Sequence, residues 1–463
     1  MTGLVWALEA VLLGCLLVCR FSDLPAIRPA WARLLLIFGA GAAGGIGLVS
    51  YLFFLVGVLL GLPVAAIVLE LALLAWAAFE VYRRRVPVVP SGVDSVRPLL
   101  FWVAGGSLFL GLALAASAAW TGWDANPQGN WDAWAIWNLR ARFLAAPAGL
   151  ARRAWSPVLG ATTHAEYPLL LSSFIGRCWA FGHSFATLVP AATSAIFFLA
   201  LIALAAGAVA VLRGPTLGLL AALVLVSTPS LLHEIPAQYA DVPLACYIAG
   251  AIVFALLRRP VLAGIFAGFG AWTKDEGLLF LVVFLAAAAV FRRREALAAI
   301  AGALPAAAIL TFFKVWLARG NGSLLSTSLP GAGHRIFDIG RYGTVIAAFG
   351  RGFLDMAQGW YHPILPLVVL AAALRFDRER RRDAAFSGAI GAALLMGYFG
   401  VYVLTQNDLV WQLQTSLDRL LVQIWPVLVL TAMVALRVPE AAVLAEPAPA
   451  QKMSKKAARK ARR

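Results

Sequence analysis

Residues 184–212 read SFATLVPAATSAIFFLALIALAAGAVAVL, a run with no charged side chain, longer than the roughly 20 residues a helix needs to cross a bilayer. Hydrocarbon offers no partner to a backbone N–H or C=O, so a run of this kind satisfies them internally as a helix. Twelve further apolar runs obey the same logic, at 4–19, 34–58, 63–81, 99–120, 216–232, 242–257, 261–272, 277–291, 296–317, 364–374, 384–404 and 420–436. They predict an all-α polytopic membrane protein with about 13 transmembrane helices. Composition agrees, because 62% hydrophobic and 13% charged residues leave too few polar side chains to cover a soluble protein of 463 residues. Short alternating strands, the mark of a membrane β-barrel, are absent.

The net charge of +16 is distributed between the apolar runs. If crossings alternate, Arg20, Arg83 to Arg85, Arg213, Arg258 and Arg259, Arg292 to Arg294, Arg378 to Arg382 and the tail QKMSKKAARKARR (451–463) all fall on one side. The positive-inside rule makes that side the cytoplasm, with the N-terminus outside, in a multi-pass plasma (bacterial inner) membrane. The tail reads as a basic segment beside anionic lipid rather than a nucleic-acid binder. Cys15, Cys19 and Cys246 lie in apolar runs and Cys178 stands alone, so neither a disulfide framework nor a cysteine-rich metal site follows. The first run lacks a basic leader and reads as a retained helix.

The other side receives residues 121–183, 233–241, 273–276, 318–363 and 405–419, and with them nearly every acid that has no basic cluster beside it. Segments this long, rich in Trp, Tyr and His, are built to hold something. In GNWDAWAIWNLRARFL (129–144), Trp131, Trp134 and Asn138 fall at helical spacing, as in a short amphipathic helix at the interface. Trp131 and Trp134 suit either a sugar face or a plain aromatic belt. Asp124 and Asp132 lie close to hydrocarbon, where an unpaired carboxylate is costly, and Arg140 and Arg142 are the nearest partners in sequence. Asp132 is a general base in a wet cleft, or else one half of a salt bridge to those arginines.

HEIPAQYADVPLAC (233–246) gathers His233, Glu234 and Asp241, a set able to bind a divalent cation although its spacing fits no specific metal motif; Asp241 also suits the start of a helix with Pro243 in its first turn. GAWTKDEGLL (270–279) brings Lys274 to the membrane surface, to hold a lipid phosphate or to snorkel beside Asp275 and Glu276. HAEYPLL (164–170) adds His164, Glu166 and Tyr167 before an apolar stretch, and Tyr167 with Pro168 suggests a rigid entry into a helix that need not cross the membrane. WQLQTSLDRLL (411–421) supplies Arg419, a phosphate clamp or a partner of Asp418. GNGSLLSTSLPGAGHRIFD (320–338) has the Gly, Ser and Pro of a lid. P-loop, dinucleotide, HExxH and GxSxG signatures are missing, so no nucleotide cofactor is expected.

The order of these elements resembles the GT-C class of integral-membrane glycosyltransferases, of the dolichyl-phosphate-mannose protein mannosyltransferase and aminoarabinose-transferase type. The likeness runs over residues 99–317, with a weaker echo at TSLDRLL (415–421). WDAWAIWNLRARFL places Asp132 where that class carries an acid after its first core helix. HAEYPLLLSSFIGRCWAFGHS is similar to its next element but departs in having His164 and Glu166 where a lysine and a second proline are common. AQYADVPLA and GFGAWTKDEGLL look like its second acidic loop and its Thr-Lys element.

The resemblance implies four regions: three N-terminal helices (1–96), a GT-C-like core (97–318) whose first outward loop is 121–183, a long outward loop with C-terminal helices (319–437), and a basic cytoplasmic tail (438–463). It implies a polyprenyl-phosphate-linked sugar as donor, held among membrane lipids, and a lipid, glycan or protein acceptor at the outer face. Asp132 would deprotonate the acceptor. Lys274, Arg419 and His164 would hold the donor phosphate, and Asp124, Trp131, Trp134, Glu166 and Tyr167 would line the sugar or acceptor site. Glu234 and Asp241 would position a divalent metal cation, which some relatives need and others do not. The competing readings are a transporter or lipid flippase, and a non-catalytic membrane assembly protein.

Overall fold

The computed structural model describes residues 2–22, 29–84, 99–322, 328–359 and 361–439. Each of the thirteen apolar runs is helical. The order is α1 (Thr2–Phe21), α2 (Ala30–Leu52), α3 (Pro63–Arg84), α4 (Leu99–Ala125), α5 (Asn138–Leu144), α6 (Leu170–Gly182), α7 (Leu188–Arg213), α8 (Pro215–Val226) and α9 (Pro229–Ala237). Then come α10 (Asp241–Leu256), α11 (Pro260–Thr273), α12 (Asp275–Phe291), α13 (Arg293–Phe312), α14 (Ile339–Asp355), α15 (Ile364–Leu374), α16 (Arg381–Leu404) and α17 (Leu409–Ala435). Helices α5, α6 and α14 lie within the expected outward segments, α5 in the stretch read as a short interfacial helix, α6 in the one entered at Tyr167 and Pro168, and α14 as an addition. The basic tail from 440 onward and the segment 85–98 that joins the first two expected regions lie outside the described residues.

Length sets the number of crossings. Among the described residues, eight helical segments are long and apolar enough to span a bilayer, or nine if the pair α8 and α9, bent by 62°, is one span. Helices α10, α11 and α15 have 16, 14 and 11 residues, short for a full crossing. The expected count of about 13 therefore falls to eight or nine by this measure. The α8–α9 bend has a local cause: Pro229 starts α9, and Thr228 before it is extended, as a residue preceding proline prefers. Trp425 of α17 donates to the Thr228 hydroxyl across 2.8 Å and holds the bend.

Helix α10 is the centre of the bundle, with every residue buried. Helices α7, α11 and α17 pack around it, and its Tyr247 donates to the Ala43 carbonyl of α2 at 2.9 Å. The bundle has two chemically distinct ends. Asp241 opens α10, Asp275 opens α12 and Lys314 follows α13, whereas Arg258 follows α10, Arg292 follows α12 and Arg293 opens α13. A 17-residue helix is roughly 25 Å long, so the acids near 241 and 275 are separated from the arginines by most of a bilayer core. At the arginine end the pairs Arg213–Asp377, Arg292–Asp383 and Arg258–Glu295 tie neighbouring helices together at 2.7–2.8 Å.

Candidate active site

The site is assembled from five stretches of chain at the acidic end, one of them the α9–α10 junction that carries Glu234 and Asp241. The first begins where α4 stops. Asn126 folds back on the Gly129 carbonyl at 2.6 Å, Gly129 takes φ +74°, and Asn130 N–H donates to Ala237 O at 3.1 Å, which docks this turn on the end of α9. Gln238 completes the dock by donating to Pro127 O at 3.3 Å, from a left-handed backbone with φ +58°. Asp132 then precedes a π-helical turn, Ala133–Trp137, that runs into α5.

That wide turn corrects the expected single amphipathic face. Its i→i+5 spacing rotates the residues after it, so Asn138 is buried while Trp131 and Trp134 stay exposed, paired edge to face with centroids 4.5 Å apart. Ile136 and Trp137 belong to the core.

Arg140 and Arg142 are not the partners of the acids. Arg140 is fully buried and donates to the carbonyls of Ala154 (3.0 Å), His164 (3.2 Å) and Tyr167, which pins the following loop; burial pushes its pKa down to about 10. Arg142 lies over the rings of Trp179 and Phe185. Asp132 is bonded instead to Arg419, whose guanidinium also sits 4.9 Å above the Tyr239 ring. Asp418 accepts from the backbone N–H of Arg419 and, among the described residues, pairs with no cation. Burial, then the Asp132 carboxylate, pushes the Tyr239 phenol up to about 12.

Arg419 belongs to a stripe. Gln412, Ser416, Arg419 and Gln423 recur at helical spacing on one side of α17 and meet, in turn, Thr405, Tyr402, Asp132 and Asp241. The sequence reading began this helix at 420, so the last expected loop, 405–419, is mostly its first three turns. Tyr398 fixes the Gln423 amide by donating to its oxygen at 2.6 Å, leaving the NH2 for Asp241. The other face of α17, with Leu421, Ile424, Trp425 and Leu428, borders an apolar cavity of about 260 Å³ against α14 and α16.

Lys274 is the third contribution. It is extended between α11 and α12 and only 4% exposed, so it does not snorkel. Its ammonium lies 3.0 Å from Asp241 and 3.0 Å from Glu276. Burial opposes its charge, but Asp241 and Glu276 outweigh that and hold its pKa above the usual lysine value, with Asp132 acting from further off. Gly277 makes the corner possible, because a Cβ there would stand 1.9 Å from Gly270 O.

The fourth stretch is the loop pinned by Arg140. His164 adopts φ +47° and contacts Glu166 through Nδ1 at 3.0 Å, with Tyr167 stacked between His164 (4.5 Å) and Trp137 (5.8 Å). Burial works against the Glu166 charge, yet its hydrogen bond to His164 and that ring's charge hold the carboxyl below its ordinary value. Lys314, paired with Asp275 at 2.6 Å, also acts on Glu166.

The structure thus brings together Asp132 with Arg419 and Asp241 with Lys274, places Glu234 within electrostatic reach of Asp241, Arg419 and Lys274, and sets Tyr167 within that of Asp132 and Glu276, next to the His164–Glu166 pair. Trp131 and Trp134 flank Asp132 from outside. Asp124 is exposed at the end of α4, outside the cluster, and His233 is exposed on α9, which runs on into the expected loop 233–241 as far as Ala237. Of the expected lid, 323–327 lies outside the described residues, while Arg335 anchors its far end to Leu404 O at 2.8 Å. Sequence reading missed Gln423, Tyr398 and Lys314, and had Glu276 only as a neighbour of Lys274.

Four carboxylates, Asp132, Glu234, Asp241 and Glu276, face two cations, Lys274 and Arg419. Among the described residues, several buried polar atoms here have no partner: Arg419 Nε, Glu234 Oε2, Glu276 Oε2, Gln238 Oε1 and Asn138 Oδ1. Buried groups of this kind are normally satisfied by protein, ordered water or a ligand, so their gathering marks this end of the bundle as the polar one. A divalent metal ion fits less well. Asp241 Oδ1 already accepts from Lys274 and Gln423, and among the described residues no three His, Cys, Asp or Glu side chains converge as metal ligands. No family model, curated protein or solved structure matches the chain.

Proposed function

We propose that this protein is a membrane glycosyltransferase of the GT-C type, which moves a sugar from a polyprenyl-phosphate-linked donor to a lipid, glycan or protein acceptor at the outer membrane face. The observation that carries the reading is the convergence of Asp132, Asp241, Lys274 and Arg419, from four separated stretches, around unpartnered polar atoms at the acidic end of a helical bundle. Each residue then has a role. The acceptor hydroxyl attacks the anomeric carbon and passes its proton to Asp132, while the bond to the donor phosphate breaks with its electron pair on the phosphate oxygen. The departing anion meets Lys274 and Arg419, whose Nε–H has no partner among the described residues.

In this scheme Arg419 has two positions. At rest it neutralises Asp132, and with the donor phosphate present it turns to the phosphate and frees the base. Glu234 and Glu276 offer unpartnered oxygens to sugar hydroxyls, and the exposed indoles of Trp131 and Trp134 offer stacking faces to the acceptor. No step is routed through a metal ion. The bond broken in the donor drives the reaction, in keeping with a chain that has no nucleotide motif.

One observation favours a second reading. Glu9 and Glu70 lie within spanning helices and share the buried Arg177, an arrangement also suited to ion-coupled transport. Photocrosslinking with a diazirine-bearing polyprenyl-phosphate sugar separates the two. The transferase reading expects labelled peptides from 129–144, 239–245, 270–279 and 411–423. Labelling confined to the surroundings of Glu9 and Glu70 contradicts it.

A further inference from the structure

We infer that the three N-terminal helices are a positioning scaffold for the site, acting through Arg177. Arg177 lies on α6, where nearly every side chain is buried, and is itself 0% exposed. Its Nε donates to Glu70 of α3 at 2.7 Å, its Nη1 to the Trp6 carbonyl of α1 at 2.9 Å, and its Nη2 to both Glu70 and Glu9. The rings of Trp6 and Phe181 lie 5.6 and 5.4 Å from the guanidinium carbon. Two further bonds fasten the ends of α6 to the same unit: Ser50 donates to Leu170 O at 2.6 Å and Thr2 to Gly182 O at 2.5 Å.

The other side of α6 carries the site. Ser172, about 140° around the helix from Arg177, donates to the Trp137 carbonyl at 3.0 Å. Gly176 lets α5 approach so closely that a Cβ would stand 2.8 Å from Ala141 O. Upstream, α6 continues directly from the His164–Tyr167 loop that Arg140 pins. A connected path therefore runs from Glu9 and Glu70 through Arg177 and Ser172 to the π-helical turn that follows Asp132.

Bulk stability does not require such a triad, since a buried ion pair exchanged for apolar side chains commonly costs nothing. Direction distinguishes it. A guanidinium bonded to two carboxylates and a carbonyl admits one rotation and one depth of α6, which an apolar contact would leave free to slide. Misplacing a catalytic group by about 1 Å is enough to slow a reaction roughly 100-fold.

The catalytic arm of the test rests on the proposed transferase reading, while the other arm does not. Hydrogen exchange of the full-length protein in nanodiscs, without substrate, compares wild type, Glu70→Gln and the neutral triple variant Arg177→Met, Glu9→Gln, Glu70→Gln. The triple variant leaves no unpaired buried charge, and Glu70→Gln serves if the triple variant does not fold. Scaffolding predicts about tenfold faster exchange at 133–144 and 164–182 with α11 to α13 unchanged, and kcat lowered roughly 10- to 100-fold at nearly constant donor KM. Wild-type exchange in those segments, or faster exchange in α1 and α3 alone, overturns the inference. If wild type transfers no sugar, the transferase reading fails, and the exchange result still decides the scaffold.

Discussion

Arg419 reaches back 287 residues to bind Asp132, joining the last described helix of the chain to the loop after α4. Both side chains are mostly shielded from water, at 14% and 19% exposed. The proposed base and the proposed phosphate ligand are thus one pair at rest. Residues that act as a unit give non-additive losses. Asp132→Asn and Arg419→Ala are each expected to lower kcat by roughly 100- to 1,000-fold, with the double variant little worse than either. Additive losses in steady-state kinetics would separate the two roles.

Lys274 and Asp241 are buried together at 5% and 1% side-chain exposure. Removing one partner strands the other, so Lys274→Met is expected to lose about 3–5 kcal/mol. Lys274→Met combined with Asp241→Asn should recover most of that loss. Unfolding in mixed micelles is the measurement, and an undiminished midpoint in the single variant contradicts the pairing.

The His164–Glu166 contact gives a pH signature. The Glu166 carboxyl titrates lower in the folded chain than its ordinary value of 4.5, so its contribution is complete above pH 4.5 and disappears as the pH falls through the folded value. Comparing the melting temperature of wild type and Glu166→Gln from pH 7 to pH 3 isolates this group. The gap between them should close on the acid side, and a constant gap would show that Glu166 is not held by charge.

The tryptophans of one turn should divide sharply. Trp137 is 1% exposed, so Trp137→Ala is expected to cost about 3–5 kcal/mol of stability. Trp131 and Trp134 are 55% and 45% exposed, and alanine at both should raise acceptor KM while leaving the melting temperature within a few degrees. Equal effects on stability would make all three indoles core residues.

Hydropathy made the helices legible, because a run such as 184–212 has no alternative in hydrocarbon. It misplaced the start of α17, where Gln412, Ser416, Arg419 and Gln423 dilute an apolar helix until its first turns resemble a loop. Their spacing was the signal available. The elements that supply the site were readable from WDAW, QYADVP and WTKDEG, but their pairings were not. Asp132 has two arginines within ten residues, and only the fold shows that Arg140 is spent on carbonyls and Arg142 on aromatic rings. Glu9 and Glu70 are acids inside apolar runs, a pattern that calls for a buried partner. Their partner, Arg177, sits in the non-crossing helix entered at Tyr167 and Pro168, and nothing in the spacing ties that helix to either acid.

The transfer reaction itself is the most direct test. Purified protein is supplied with a radiolabelled polyprenyl-phosphate sugar and a membrane extract as acceptor source, and released polyprenyl phosphate is counted with and without Asp132. The account predicts release coupled to sugar transfer by wild type and its loss in Asp132→Asn. Unchanged turnover in Asp132→Asn, or substrate-stimulated ion flux with no sugar transferred, would contradict it.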